Sequence, residues 1–223
     1  MTSWETLARA RTASGDEIVL RQRGEIYEIR YNGIALMSNL NHQSEIQLAL
    51  RSMRRLDFRA RRVLIGGLGL GYSLRALLDL AAPDTEVTVC EIIPEVVAWN
   101  RGPLAHLAGS PLDDPRSRLV IGDVQEHLAL SRGCYDLILL DTDNGPDLVV
   151  RPENEDLYRD GGIAEVADAL ALGGLAAFWS ATASSRFEST LARQAWNWTR
   201  EDIPLVPGRV DAMHHIYSCA LPS

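Results

Sequence analysis

A chain of 223 residues with 46% hydrophobic and 23% charged content is long enough for one large domain around a buried core, which excludes a disordered or fibrous protein. Thirty acidic against 22 basic residues leave a formal charge of -8, so a polyanion would meet global repulsion and nucleic acid is not expected as a partner. Cys90, Cys134 and Cys219 show neither pairable nor metal-type spacing, which fits a reducing compartment, and two of the three sit in apolar runs expected to be core.

The first residues, MTSWETLARARTASGDE, carry no apolar segment of signal-peptide length, and no run approaches a membrane span. A cytoplasmic protein with no membrane partner is therefore expected. Residues 16–23 and 25–31 are short runs rich in Ile, Val and Tyr, and Asn32-Gly33 leads into IALMS, a turn signal between strands. This reads as a small antiparallel β unit over 1–40. Between 44 and 56, apolar residues recur at helical spacing, predicting an amphipathic helix that leads into a larger domain over 41–223. Arg51, Arg54, Arg55, Arg59, Arg61 and Arg62 crowd a dozen positions and read as a solvated helix end and loop.

From Arg62 the pattern becomes apolar strand, glycine or acidic turn, helix, repeated. Strands are predicted at 63–66, 86–92, 118–122, 135–141 and 175–180, with helices near 71–82, 94–101, 123–131, 161–172 and 185–198. Continuous apolar strands alternating with helices indicate a parallel sheet covered on both faces. Asp123 with Glu126 has capping-box spacing, Ser184-Ser185 reads as a helix start, and the tail predicts two further strands around Pro207-Gly208.

In an open parallel sheet, ligands bind outside the carboxyl ends of the strands. The residues there are Gly67, Gly69 and Gly71, then Glu91, Asp123 and Asp141: glycines after one strand and a carboxylate after each of three more. In VLIGGLGLGYS the third glycine of a dinucleotide fingerprint would fall on Tyr72, which disfavours a nicotinamide cofactor, and no Lys-Ser/Thr completes a phosphate loop. G-x-G-x-G instead lets the backbone approach a ligand at a helix amino terminus, and Glu91, 24 positions beyond Gly67, is placed to accept both hydroxyls of a ribose.

IGGLGLGYSLRALL, VCEIIPEVV, VIGDVQEHL and YDLILLDTDNGPDL, in that order and spacing, together resemble the spermidine synthase family, whose strings are close to GGGDGGTLRE, VEID, a GDA-type turn and YDVIIVDSSDP.GP. The likeness covers roughly residues 25–180. It implies the family's fold: α/β, a doubly wound, mostly parallel Rossmann-like sheet of the class I S-adenosylmethionine methyltransferase type. It also implies that Gly67, Gly69 and Gly71 cradle the methionine-like part of a sulfonium donor. Glu91, with Ile92 beside it, would hold the ribose, and Asp123 with Val124 the adenine. Asp141 would be the catalytic carboxylate that orients and deprotonates an attacking amine, and Tyr158 would stand at an aromatic position near the acceptor. The family's second aspartate falls on Asp143 or is replaced by Asn144, because DTDNGPD is two residues shorter than the family loop. NHQSEIQLAL resembles the segment that closes over the acceptor, with His42, Gln43 and Glu45 as its candidates. Glu45 reads first as an early-helix charge favoured by the dipole.

The resemblance thus implies an enzyme that aminopropylates a small-molecule amine, its co-substrate being decarboxylated S-adenosylmethionine, with no metal. Leu70 departs from the pattern: it stands where the family has an acid that contacts the donor's amine, and it favours the alternative of undecarboxylated S-adenosylmethionine and methyl transfer. A non-catalytic nucleoside-binding or interaction protein is the third reading. The strand pair over 16–37 offers an edge for a second subunit, so a homodimer is expected. His214-His215 is not expected to form a metal site, since neighbours on a strand face opposite ways.

Overall fold

The computed structural model describes residues 3–12, 14–142, 144–205 and 212–221. Four antiparallel strands come first: β1 (Glu5–Arg11), β2 (Glu17–Arg23), β3 (Ile26–Tyr31) and β4 (Ile34–Ser38), in the spatial order β1-β2-β3-β4. Asn32 and Gly33 both have positive φ (47° and 78°), the conformation a two-residue hairpin turn needs, and they place Tyr31 opposite Ile34. Strand β1 has no counterpart in the sequence reading. ETLARAR offers little beyond alternating small and exposed side chains, and its pairing with β2 moves the sheet's open edges to β1 and β4.

Helix α1 (Gln43–Arg55) then leads to a second sheet. Its parallel strands are β5 (Arg62–Gly66), β6 (Glu86–Glu91), β7 (Ser117–Ile121), β8 (Tyr135–Leu140) and β9 (Leu170–Ser180). The last two, β10 (Asn197–Pro204) and β11 (Met213–Ala220), are antiparallel to their neighbours, and the order is β10-β11-β9-β8-β5-β6-β7. Helices α2 (Tyr72–Leu80), α3 (Pro94–Asn100), α4 (Val124–Ala129), α5 (Asp160–Ala169) and α6 (Ser185–Arg193) fill the connections. This is the doubly wound, mostly parallel sheet expected, with the antiparallel unit ahead of it.

Side-chain alternation along the central strands explains the two cores. Val63 and Ile65 on β5, with Leu137 and Leu139 on β8, join the core that also receives Ile18, Leu20 and Ile29 of the first sheet. Leu64, Ile138 and Leu140 point the other way, into a core built with Phe178, Phe187 and Tyr217. The arginine run is paired at its surface: Arg51 and Arg55 with Glu201, and Arg59 with Asp84.

Two element boundaries differ from the periodicity. The helix expected over 161–172 ends at Ala169, and Leu170–Gly174 instead lengthen β9, with Gly173 at φ 77° and Leu172 almost fully exposed. The helix expected over 185–198 ends at Arg193, because Asn197 and Trp198 pair with Ala220 and Cys219 on β11. Tertiary pairing overrides local propensity at both places. Ser184 does cap α6, accepting from the Phe187 amide at 3.1 Å. Asp123 caps α4 by accepting from Gln125 at 2.8 Å, one residue earlier than the capping-box geometry predicts. Pro207 and Gly208 lie outside the described residues, between the two strands expected around them.

Candidate active site

Strands β5 and β8 are neighbours from which the chain winds outward in opposite directions, toward β6 and β7 on one side and β9 on the other. Such a switch point leaves a crevice at the carboxyl ends of the strands. Two cavities occupy it here. The smaller, about 60 Å³, is lined by Gly67, Gly69, Glu91, Ile92, Asp123 and Val124 among others, under Leu36 and Met37 of β4 and beside Arg151 and Asn154. The larger, about 270 Å³, is bounded by β4, the first turn of α1, Leu70, Tyr72, Ser73, Asn144, Trp179 and His214. Asp141 and Thr142 line both.

The glycine turn is held from below and above. All three glycines have positive φ (Gly67 91°, Gly69 55°, Gly71 85°), the left-handed region that side chains resist. A Cβ on Gly67 would overlap the backbone carbonyl oxygen of Asp141, so the neighbouring strand end by itself requires this glycine to be bare. A Cβ on Gly69 would meet Met37 Sδ at 3.3 Å, under the roof strand. Gly71 lines neither cavity; it is the left-handed residue that opens α2. Buried Asn100, which the sequence reading passed over, donates to the Gly69 and Val96 carbonyls at 2.8 and 2.9 Å and braces the turn.

Glu91 is buried, and its two oxygens accept from the Leu68 amide at 3.1 Å and the Ile93 amide at 2.8 Å. Burial raises its pKa, and these backbone donors oppose that rise. The amides of Gly69 and Ile92 also face this carboxylate, so backbone donors hold it in place at the edge of the smaller cavity.

Asp141 accepts from the Ser73 hydroxyl at 2.9 Å. Burial, and secondarily the negative charge of Glu45, push its pKa up to about 7, with the Ser73 bond opposing. Glu45 is itself pushed upward by burial. It stands in the first turn of α1, as the early-helix reading expects, and it also lines the larger cavity. Gln43, the expected substrate contact from the same segment, is exposed and lines neither cavity. Two positions on a helix differ by about 200°, so Gln43 and Glu45 cannot share a face.

Tyr158 lies in the second core, its ring 5.4 Å from Phe187 and 6.4 Å from Phe178, and lines neither cavity. Asn144 is in the larger cavity as expected, while Asp143 lies outside the described residues. His214 points into the larger cavity against Trp179, whereas His215 bonds Asp202 at 2.8 Å on β10. Among the described residues no three His, Cys, Asp or Glu side chains are grouped as metal ligands, and no helix is long and apolar enough to cross a membrane.

With this geometry in place, likeness to known proteins becomes specific. The family model "Spermine/spermidine synthase domain" matches residues 46–193, which hold the glycine turn, Glu91, Asp123 and Asp141. The chain belongs to the spermine/spermidine synthase family. A polyamine aminopropyltransferase of Korarchaeum cryptofilum is 31% identical over 109 residues, covering 46% of this chain and 33% of that protein. One of Neisseria meningitidis serogroup B is 27% identical over 151 residues, covering 65% and 56%. The chain thus spans between a third and just over half the length of these curated relatives. In fold, a spermidine synthase in complex with the transition-state analogue AdoDATO matches with a TM-score of 0.75 at 17% identity, over 97% of this chain and 72% of that one. The spermidine synthase of Thermotoga maritima matches equally well, with 0.75 at 16% identity over 97% and 73%.

Proposed function

We propose that this family member transfers an aminopropyl group from decarboxylated S-adenosylmethionine to a small amine, with Asp141 as the base. The observation that carries the reading is the charge of the larger cavity. Glu45 and Asp141 line it, and no lysine or arginine does among the described residues. Burial holds His214 down to about 4, so it is neutral at physiological pH. Such a cavity attracts ammonium groups and repels the carboxylate that an undecarboxylated donor would carry.

In this reading the nucleoside enters the smaller cavity, with Glu91 on the ribose and Ile92, Asp123 and Val124 around the base. The sulfonium then sits at the junction beside Asp141. The amine's lone pair attacks the aminopropyl carbon bonded to sulfur, the C–S pair passes to sulfur to give a neutral thioether, and Asp141 takes the ammonium proton. A pKa near 7 suits that base. Asn144 is the proposed neutral contact to the acceptor.

Leu70, apolar and in the same cavity, supports methyl transfer from S-adenosylmethionine as the second reading. Calorimetric titration with S-adenosylmethionine, its decarboxylated form and methylthioadenosine separates the two. Tighter binding of the decarboxylated donor is expected; equal or weaker binding removes aminopropyl transfer, and no binding by any of the three at millimolar concentration removes the donor site itself.

A further inference from the structure

Glu45 does not stand alone in the larger cavity. The Ser44 hydroxyl donates to Glu45 Oε2 at 2.6 Å and lies 2.8 Å from His214 Nδ1, across 170 residues of sequence. A serine hydroxyl has one proton, and here it goes to Glu45, so the bond to His214 needs the imidazole Nδ1–H as donor. His214 is therefore the neutral Nδ1–H tautomer, passing a hydrogen bond through buried Ser44 to the carboxylate. Trp179 fixes the imidazole plane, its ring 4.6 Å away at 75°. A chain of neutral donors orients the Glu45 carboxylate without supplying a cation to neutralise it.

Position assigns the two carboxylates different tasks. Asp141 lines both cavities and so faces the junction where a sulfonium and a reacting amine would meet. Glu45 lines only the larger one. Leu70 and Ala181 also line that cavity, which suits a methylene chain between two charges. A buried carboxylate without a cation is costly, and a ligand cation placed there would recover that cost.

We propose that His214 and Ser44 are positioning residues that orient Glu45, and that Glu45 sets the preference for a ligand carrying an ammonium in addition to the reacting centre. This rests on the aminopropyl-transfer reading for its chemistry, but binding alone can test it. Two sources offer such an ammonium: the donor's own propylamine tail, and the far end of a diamine acceptor.

Binding is measured on the full chain, for decarboxylated S-adenosylmethionine against methylthioadenosine, and, with methylthioadenosine present, for 1,4-diaminobutane against butylamine. Glu45→Gln is expected to weaken a ligand with the second ammonium by roughly 10- to 100-fold while changing its partner lacking that group little. Loss confined to the decarboxylated donor assigns the ammonium to the donor, and loss confined to the diamine assigns it to the acceptor. Ser44→Ala and His214→Phe should reduce the same ratio by a smaller factor, with His214→Gln restoring part of it as a neutral donor. Equal weakening of both members of each pair, or no change, overturns the proposal for Glu45. A ratio altered in Glu45→Gln but unmoved in both Ser44→Ala and His214→Phe overturns the positioning role. If the wild-type chain shows these ratios yet transfers no aminopropyl group, the transfer reading fails while Glu45 keeps its role.

Discussion

The smaller cavity is walled mainly by residues that directly follow β5, β6 and β7, with backbone amides holding its one buried glutamate. The larger cavity gathers side chains from β4, α1, the ends of β8 and β9, and β11. The first is a product of sheet topology, since any chain that places strand ends in this order must bring those residues together. The second is a product of packing between distant segments, and its chemistry can change without altering the sheet. Within one site, the smaller cavity, proposed for the nucleoside, is therefore the more constrained and the larger, proposed for the acceptor, the more adjustable.

The largest expected break falls where the cavities meet. Asp141→Asn should lower turnover by about 10²- to 10⁴-fold, the usual contribution of a positioned base, while leaving donor affinity nearly intact in calorimetry. Unchanged turnover would remove Asp141 from the chemistry and leave the two cavities functionally separate. On the nucleoside side, Glu91→Gln should raise the donor dissociation constant by roughly 10- to 100-fold, with little selectivity between methylthioadenosine and decarboxylated donor. Selectivity there would mean that the boundary between the cavities is drawn in the wrong place.

Gly67→Ala tests the constraint itself. Left-handed backbone strain and overlap with the Asp141 carbonyl should cost about 2 kcal/mol or more, read as a lower urea midpoint at unchanged slope. A milder effect is expected from pH. Because Asp141 is raised to about 7, turnover should rise by up to about tenfold per pH unit below 7 and level off above it, as the carboxylate becomes free to accept a proton. The sign for stability is opposite. Between the ordinary value of 3.8 and about 7 the folded chain holds a proton that the unfolded chain has lost, so rising pH reduces native stability over that window. A flat rate profile across pH 5.5–7.5 would place the titrating group elsewhere (roughly the range in which such bases operate).

This contrast also explains what could be read from the residues alone. Gly67, Glu91, Asp123 and Asp141 each end an apolar run, so strand periodicity locates them, and the alternation of helix and strand indicates the parallel sheet whose ends they occupy. Glu45 and His214 carry no such signal. One lies in an amphipathic helix where a glutamate near the start is ordinary, and the other in a His-His pair that invites only a metal reading. Their meeting depends on β11 packing against α1, a contact that no local pattern encodes. Tyr158 illustrates the opposite difficulty: an aromatic after an acidic turn reads equally as a site residue or a packing one, and its ring packs on Phe178 and Phe187. Strand β1 stayed invisible because an exposed edge needs few apolar side chains.

Strand β11 follows both β9 and β10 in sequence yet lies between them in the sheet. During synthesis, β9 and β10 emerge with no partner for their facing edges until residues 213–220 leave the ribosome and fill the gap. The larger cavity is therefore completed only when His214 reaches back to Ser44, after the strand ends that wall the smaller cavity have already been made.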